Sequence, residues 1–292
     1  MRSGRPSPVA LLERRAELLS RRARTDAEQH DLDDLTRALR DILAGEPAVR
    51  RLELEPAGGL AHRLAALEPV NPVHGEADLR DRFDVDRRVF VLEHPALVDR
   101  PMNVVWVALR RGLPDGLADV LDPALPPDDP GAADTAVFYS IWNAEPGLAG
   151  LGRGLDLLEG ALGQLASELP GLSTFVTLSP IPGFRRWAAT HEVGLDDRCP
   201  AEDLHRACAL YLTGLGANGR LLDPVARFHM GNGARLLRVR AGADTSPRGR
   251  ERAWGLMANY RYGPEDRAAN REALAAGSPA IGDDVAGLLR GS

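Results

Sequence analysis

The sequence predicts an α/β (α+β) protein: a mixed, twisted sheet flanked by helices, with a short helical segment ahead of it. Three patterns carry that reading. The run Thr135-Ala-Val-Phe-Tyr-Ser-Ile-Trp142 is strand-like, passes through a glycine-rich turn into an amphipathic helix, and is followed by a second β run, Ser173–Leu178. Two more β runs, Arg88–His94 and Met102–Leu109, flank a proline-bounded turn at Pro95–Pro101. Before residue 44 the leucines recur at helical spacing among Arg, Asp and Glu, with no β pattern. The chain has 292 residues, about twice the ~150 expected of one domain, and divides by pattern into residues 1–45 and 46–292.

Element by element, Leu11, Leu12, Leu18, Leu19, Leu32, Leu35, Leu39 and Leu43 define a helical region over 8–43, and Thr25-Asp26 is placed to cap a second helix within it. Such a hairpin has too little apolar surface to stand alone, so it packs on the main body or on a second copy of the chain. Residues 44–75 are broken by Pro47, Pro56, Gly58-Gly59, Pro69 and Pro72, leaving room for a short helix at Leu60–Leu67. Another short helix is predicted at Asp78–Phe83, before the two β runs. Gly112–Ala133 holds five prolines and five aspartates and reads as a long surface loop with a helical turn at Leu117–Leu121. The helix behind the glycine turn carries Leu155, Leu157, Leu158, Ala161, Leu162, Leu165 and Ala166, and Gly171 is expected to close it. Ser179-Pro-Ile-Pro-Gly183 then leads into a short helix, Phe184–Ala189, and a longer helix follows at 201–213. Pro224–Phe228 leads into His229, which is expected just before two glycines in a tight turn. Arg235–Val239 is strand-like, Ala253–Tyr260 contains an apolar run, and the chain from Pro264 is polar, then weakly helical.

Composition excludes several chemistries. All 36 basic residues are arginine, so there is no lysine for a Schiff base, for pyridoxal phosphate or for a Walker-A loop. The net charge of −6 argues against a nucleic-acid partner. The longest largely apolar run, Met102–Leu109, is far short of the ~20 residues that span a bilayer. No signal-peptide pattern is seen, and a cytoplasmic location is expected. Two cysteines, Cys199 and Cys208, make neither a disulfide scaffold nor a four-cysteine zinc site.

Four constellations are candidates for chemistry. A strand, a glycine-rich turn and a helix N-terminus make an anion site, because unpaired N–H groups and the helix dipole favour phosphate. Gly147-Leu-Ala-Gly150-Leu-Gly152 has that context; it is neither Walker A nor a Rossmann fingerprint, and it fits the looser glycine loop of acetyltransferase-like folds that hold the pyrophosphate of coenzyme A. A plain tight turn is the competing reading. Ser179 stands at a strand end before Pro180 and Pro182, rigidly placed, with a capping role as the bland alternative and no G-x-S-x-G elbow around it. His229 is the natural acid or base near neutral pH, against the alternative of a packed histidine bonded to backbone. Gly255–Tyr262 ends in Tyr260-Arg-Tyr262, suited to a carboxylate or phosphate, or else a core segment ending in a solvated arginine. The other six histidines show no metal-ligand spacing.

Taken in order, Phe138-Tyr-Ser-Ile141, Gly147-Leu-Ala-Gly150, Thr177-Leu-Ser-Pro-Ile-Pro-Gly-Phe184, Phe228-His-Met-Gly-Asn-Gly-Ala234 and Leu256-Met-Ala-Asn-Tyr-Arg-Tyr262 resemble the motif series of malonyl-CoA decarboxylases. Asp223–Phe228 and Ala243–Ser246 also match, so the resemblance covers about residues 60–265. It implies a GNAT-like catalytic domain at 46–292 that binds acyl-CoA, and decarboxylation of malonyl-CoA to acetyl-CoA and CO2 through an enolate of the thioester. It implies Ser179 and His229 as the catalytic pair. Substrate and coenzyme A contacts are implied at Glu145, Pro146, Gly147, Leu148, Ala149, Gly150, Leu151 and Gly152, with Asn232 and Tyr262. No cofactor is implied, coenzyme A being part of the substrate, and no metal.

This chain departs from the family pattern in three places. The family's N-terminal helical domain is larger than the hairpin predicted at 8–43. Trp142 stands where the family has a small polar residue beside the coenzyme A turn, and Arg240-Ala241 replaces Asn-Trp. Trp142 and Arg240 point to a reshaped acyl pocket, so methylmalonyl-CoA or a malonyl group on an acyl carrier protein stands as an alternative substrate. A GNAT-type acyltransferase and a catalytically silent acyl-CoA sensor are readings of other classes. An acyl-CoA is the expected partner, an acyl carrier protein and a homo-oligomer are further candidates, and neither nucleic acid nor membrane is expected.

Overall fold

A computed structural model of the chain describes residues 7–290, apart from 57, 152 and 192. In chain order its elements are α1 (Pro8–Ser20), α2 (Asp26–Ile42), β1 (Ala48–Leu52), α3 (Leu60–Leu67), α4 (Gly75–Asp81), β2 (Arg87–Glu93) and β3 (Asn103–Arg110). There follow α5 (Ala118–Leu121), β4 (Thr135–Asn143), α6 (Gly154–Glu168), β5 (Thr174–Thr177), β6 (Ser179–Pro180), α7 (Phe184–Thr190) and α8 (Ala201–Thr213). The chain ends with α9 (Pro224–Gly231), β7 (Arg235–Arg240), α10 (Pro247–Ala253), β8 (Met257–Arg261), α11 (Arg267–Ala275) and α12 (Asp283–Arg290). Among the described residues the strands run in the order β1-β2-β3-β4-β5-β8-β6, with β7 also paired to β8. β4 and β5 are parallel, joined through α6, whereas β1–β2, β5–β8, β6–β8 and β7–β8 are antiparallel. This is the mixed sheet flanked by helices that the sequence predicts.

The chain falls into two compact units, residues 1–106 with 140–168, and 107–139 with 169–292. In the first unit, Thr25 caps α2 reciprocally: its hydroxyl accepts from Glu28 N, and the Glu28 carboxylate accepts from Thr25 N. The helices α1 and α2 close on a leucine cluster of Leu18, Leu32 and Leu35, flanked by Leu11 and Leu19. The edge strand β1 alternates exposed with partly buried residues on its partner β2, which is buried along its length. In the second unit, β5 and β8 are buried along most of their length, as strands in the middle of a sheet are.

Several elements differ from the sequence expectation. β1 is a strand where only mixed structure is expected; its two arginines conceal the alternation, and pairing with β2 supplies the partner. α4 begins at Gly75 rather than Asp78, because the Asp78 carboxylate accepts from His74 N and caps the helix start. α6 ends at Glu168, ahead of Pro170, rather than at Gly171, since the residue before a proline is pushed out of the helical region. α10 is an additional helix, capped by Ser246 with Pro247 at its first position.

Candidate active site

Ser179, His229 and Tyr262 meet in the second unit. Ser179 sits where the ladder to β8 is interrupted. β5 pairs with β8 at Val176 and Arg261, and pairing resumes only at Ser179 with Ala258 and Pro180 with Met257. Side chains replace the rungs between them. Tyr260 N donates to Thr177 Oγ1 at 3.1 Å, and Asn259 Nδ2 donates to the Thr177 carbonyl at 2.6 Å. Leu178 N donates to Phe138 O on the other neighbouring strand at 3.0 Å. The register is the same on both sides of the gap, these side chains take the place of ladder bonds within it, and Pro180 and Pro182 stiffen the segment that leads into α7.

The sequence places His229 in a tight turn; it lies instead in the last turn of α9. The helix forms because Asp223 accepts from Val225 N and Ala226 N, both at 2.8 Å, while Pro224 occupies the first helical position. Gly233, at φ +85°, provides the reversal, and a Cβ there would strike the backbone of Arg267. Tyr211 of α8 donates to Asp223 Oδ2 at 3.2 Å and lies against Gly183, joining the segment after Ser179 to the cap of the histidine helix.

The ring of His229 is fixed on three sides. Nε2 is 3.1 Å from Ser179 Oγ, Nδ1 is 2.9 Å from the Tyr262 hydroxyl, and the ring stacks on Tyr260 with centroids 4.7 Å apart. Burial alone pushes the imidazole down to about 3, so it is neutral through the physiological range. Burial also raises the Tyr262 phenol and keeps its proton on. Ser179 Oγ donates to Thr177 Oγ1 at 2.9 Å. A consistent proton assignment runs one way: Tyr262 O–H to Nδ1, Nε2–H to Ser179, Ser179 O–H to Thr177.

Asn232 lies in the same unit and closes α9, its backbone N–H turned onto the last carbonyls of the helix. Arg240, on β7, forms an ion pair with Asp115. Thr177 and Asn259 join the site although the sequence marks them only as letters within longer motifs; an asparagine on an otherwise apolar strand, Met257-Ala-Asn-Tyr260, is the available signal.

The glycine turn lies in the first unit. Pro146–Leu148 form one 3₁₀ turn, followed by Ala149, Gly150 and Leu151; Gly152 lies outside the described residues. Glu145 is held in a two-point ion pair by Arg100, at 2.7 and 2.9 Å. Gly150 adopts φ +76° and faces open space, whereas Gly147 and Leu148 are buried. From sequence both glycines leave room for a phosphate. At Gly147 that room is filled, because an added Cβ would overlap the carbonyl oxygen of Leu12 in α1. Trp142 is half-buried on β4, just ahead of this turn.

Known proteins share this architecture. The loading GNATL domain of CurA from Lyngbya majuscula superposes with a TM-score of 0.51 over 76% of this chain and 100% of that one, at 18% identity. At that identity the likeness shows the fold alone, and it is the GNAT-like fold. Residues 47–199 and 200–291 match the family described as Malonyl-CoA decarboxylase C-terminal domain. The chain belongs to the malonyl-CoA decarboxylase family. The structure of malonyl-CoA decarboxylase from Rhodopseudomonas palustris superposes with a TM-score of 0.87 at 36% identity, over 95% of this chain and 75% of that one. The mitochondrial malonyl-CoA decarboxylase of Anser anser anser is 28% identical over 314 residues, which cover 90% of this chain. The match spans 62% of that relative's length.

Among the described residues no group of three or more His, Cys, Asp or Glu side chains could hold a metal ion, and no helix is long and apolar enough to cross a membrane.

Proposed function

We propose that the chain decarboxylates malonyl-CoA to acetyl-CoA and CO2, with Ser179 and His229 as the working pair. The observation that carries this is the buried chain Tyr262–His229–Ser179–Thr177, built from the motifs that place the protein in its family. Breaking the carbon–carbon bond sends its electron pair toward the thioester oxygen, giving an enolate. That oxygen needs a hydrogen-bond donor, and the carbon needs a proton. One fixed donor at a developing oxyanion is worth about 2.7–4 kcal/mol, and a placed acid roughly 10²–10⁴-fold. Ser179 orients the departing carboxylate and His229 stands behind it as the proton source.

The low proton affinity of His229 suits this task. With the site empty, the imidazole is neutral and does not draw a cation into the core. A malonyl carboxylate bound beside the pair raises that affinity, because an anion favours the imidazolium. The substrate therefore increases the share of His229 that carries a second proton, drawn from solvent. Once CO2 leaves, the negative charge moves to the enolate, whose carbon takes the proton. The turn from Glu145 to Leu151 is the proposed site for coenzyme A, whose diphosphate suits an open backbone amide such as that of exposed Gly150.

The test is product analysis by mass spectrometry, with malonyl-CoA and methylmalonyl-CoA run side by side on the wild type, Ser179→Ala and His229→Ala. Acetyl-CoA from the wild type, with a loss of about a hundredfold or more in each variant, is the expected result. No acetyl-CoA from the wild type, or full activity in both variants, overturns the proposal. Propionyl-CoA in excess would reassign the acyl group and direct attention to Trp142 and Arg240.

A further inference from the structure

Arg15 of α1 is buried, at 5% exposure, and among the described residues every one of its hydrogen-bond partners is a neutral oxygen. Its Nη1 donates to Gly147 O at 2.6 Å and to Ala149 O at 2.8 Å. Its Nε donates to Thr36 Oγ1 of α2 at 3.0 Å, and the Thr36 hydroxyl donates onward to Leu32 O. A guanidinium buried without a counter-anion is costly, and a hairpin needing only to dock would pack more favourably through an apolar side chain.

Two further contacts bring α1 onto the same turn. The Leu12 carbonyl occupies the space that a side chain at Gly147 would need. Arg100 bridges Glu13 of α1, at 3.3 Å, and Glu145 at the head of the turn. In a planar trans peptide the N–H points opposite to the preceding carbonyl. Drawing the carbonyls of Gly147 and Ala149 onto Arg15 therefore turns the amides of Leu148 and Gly150 the other way. The Leu148 amide closes the turn on Glu145 O at 2.9 Å, which leaves the Gly150 amide facing outward on an exposed, open residue.

We propose that Arg15 is a positioning residue for the diphosphate of the acyl-CoA: it fixes the turn so that its free amide faces the phosphates, and it places a positive charge directly behind that amide. The hairpin α1–α2 is thereby part of the substrate-binding machinery. This rests on the reading of Glu145–Leu151 as the coenzyme A turn.

The experiment compares coenzyme A with pantetheine, which lacks the diphosphate, by titration calorimetry on the full chain. Arg15→Met is expected to weaken coenzyme A binding about tenfold, the size of one modest charge-assisted interaction, and to leave pantetheine binding within about twofold. Arg15→Lys keeps the charge and is expected to recover part of the loss. It is also read on its own should Arg15→Met fail to fold. An equal loss for both ligands would show a merely structural role, and no loss for either would remove the role altogether. If the wild type binds coenzyme A no better than pantetheine, the coenzyme A reading of the turn fails first, and the role of Arg15 with it.

Discussion

Tyr262→Phe removes one oxygen from the chain of four side chains at the site and alters nothing else in shape. The hydroxyl is buried with its tyrosine, and its bond is the 2.9 Å contact to His229 Nδ1. Without it Nδ1 is left buried and unpaired, which costs about 1–3 kcal/mol of stability. The imidazole is also released from the tautomer that directs Nε2–H at Ser179. An alternative tautomer with its proton on Nδ1 would turn Nε2 into an acceptor and reverse the chain. A tenfold rate loss corresponds to about 1.4 kcal/mol, so partial loss of that orientation lowers kcat by ~10- to 100-fold. KM stays within about twofold if Tyr262 acts only through the histidine. It rises instead if Tyr262 binds substrate directly, as the family resemblance implies. The assay is CO2 release from malonyl-CoA at saturating and limiting substrate, with a urea midpoint on the same preparations. In a His229→Asn background the tyrosine change should have no further effect on kcat, because the group it orients is gone. A Tyr262→Phe variant with wild-type kcat, or an additive loss in the double variant, refutes the orientation argument.

Two other predictions concern stability. His229 takes up a proton near 6.5 when unfolded but only near 3 when folded, so the unfolded chain binds more protons between those values and stability falls as pH drops through that window. At about pH 4.5 the histidine alone removes about 2–3 kcal/mol relative to about pH 7.5. Urea unfolding of the wild type and His229→Gln at both pH values measures it, and a difference between them that does not change with pH sinks the account. Gly147→Ala places a Cβ on the Leu12 carbonyl and should destabilise by about 1–3 kcal/mol. Gly163→Ala, exposed in α6 with nothing near, should stabilise by about 0.5–1 kcal/mol. Thermal midpoints that move together in the two glycine variants would contradict the packing of α1 on the turn.

Much of the fold is legible because its signals are local. The helix bounds at Leu60–Leu67 and 201–213 agree with the leucine spacing and with Pro200. Thr25-Asp26 announces the start of α2, and the structure adds Glu28 as the reciprocal partner of that cap. The run from β4 through the turn to α6 and β5 alternates apolar strands with an amphipathic helix, a pattern that long-range contacts need not complete. β1 has no such local signal. Its five residues carry two arginines and reveal their strand only when paired with β2, some forty positions later.

The candidate site divides in the same way. Residue identity and order determined the fold class and the absence of lysine chemistry, and through the resemblance to the family's motif series they marked Ser179 and His229 as the pair to test. The tertiary structure decided which polar groups lose water and which partners replace it. It put His229 in a helix, removed its charge by burial, and gave it Tyr262 and Ser179 as partners from 33 and 50 residues away. It used Thr177 and Asn259 to satisfy a broken ladder, and drew Arg15 across 132 residues onto the carbonyl of Gly147. Periodicity records which face of an element is apolar. It holds no record of which distant donor meets which acceptor, because that choice is made only when the elements pack and the unpaired alternatives become costly.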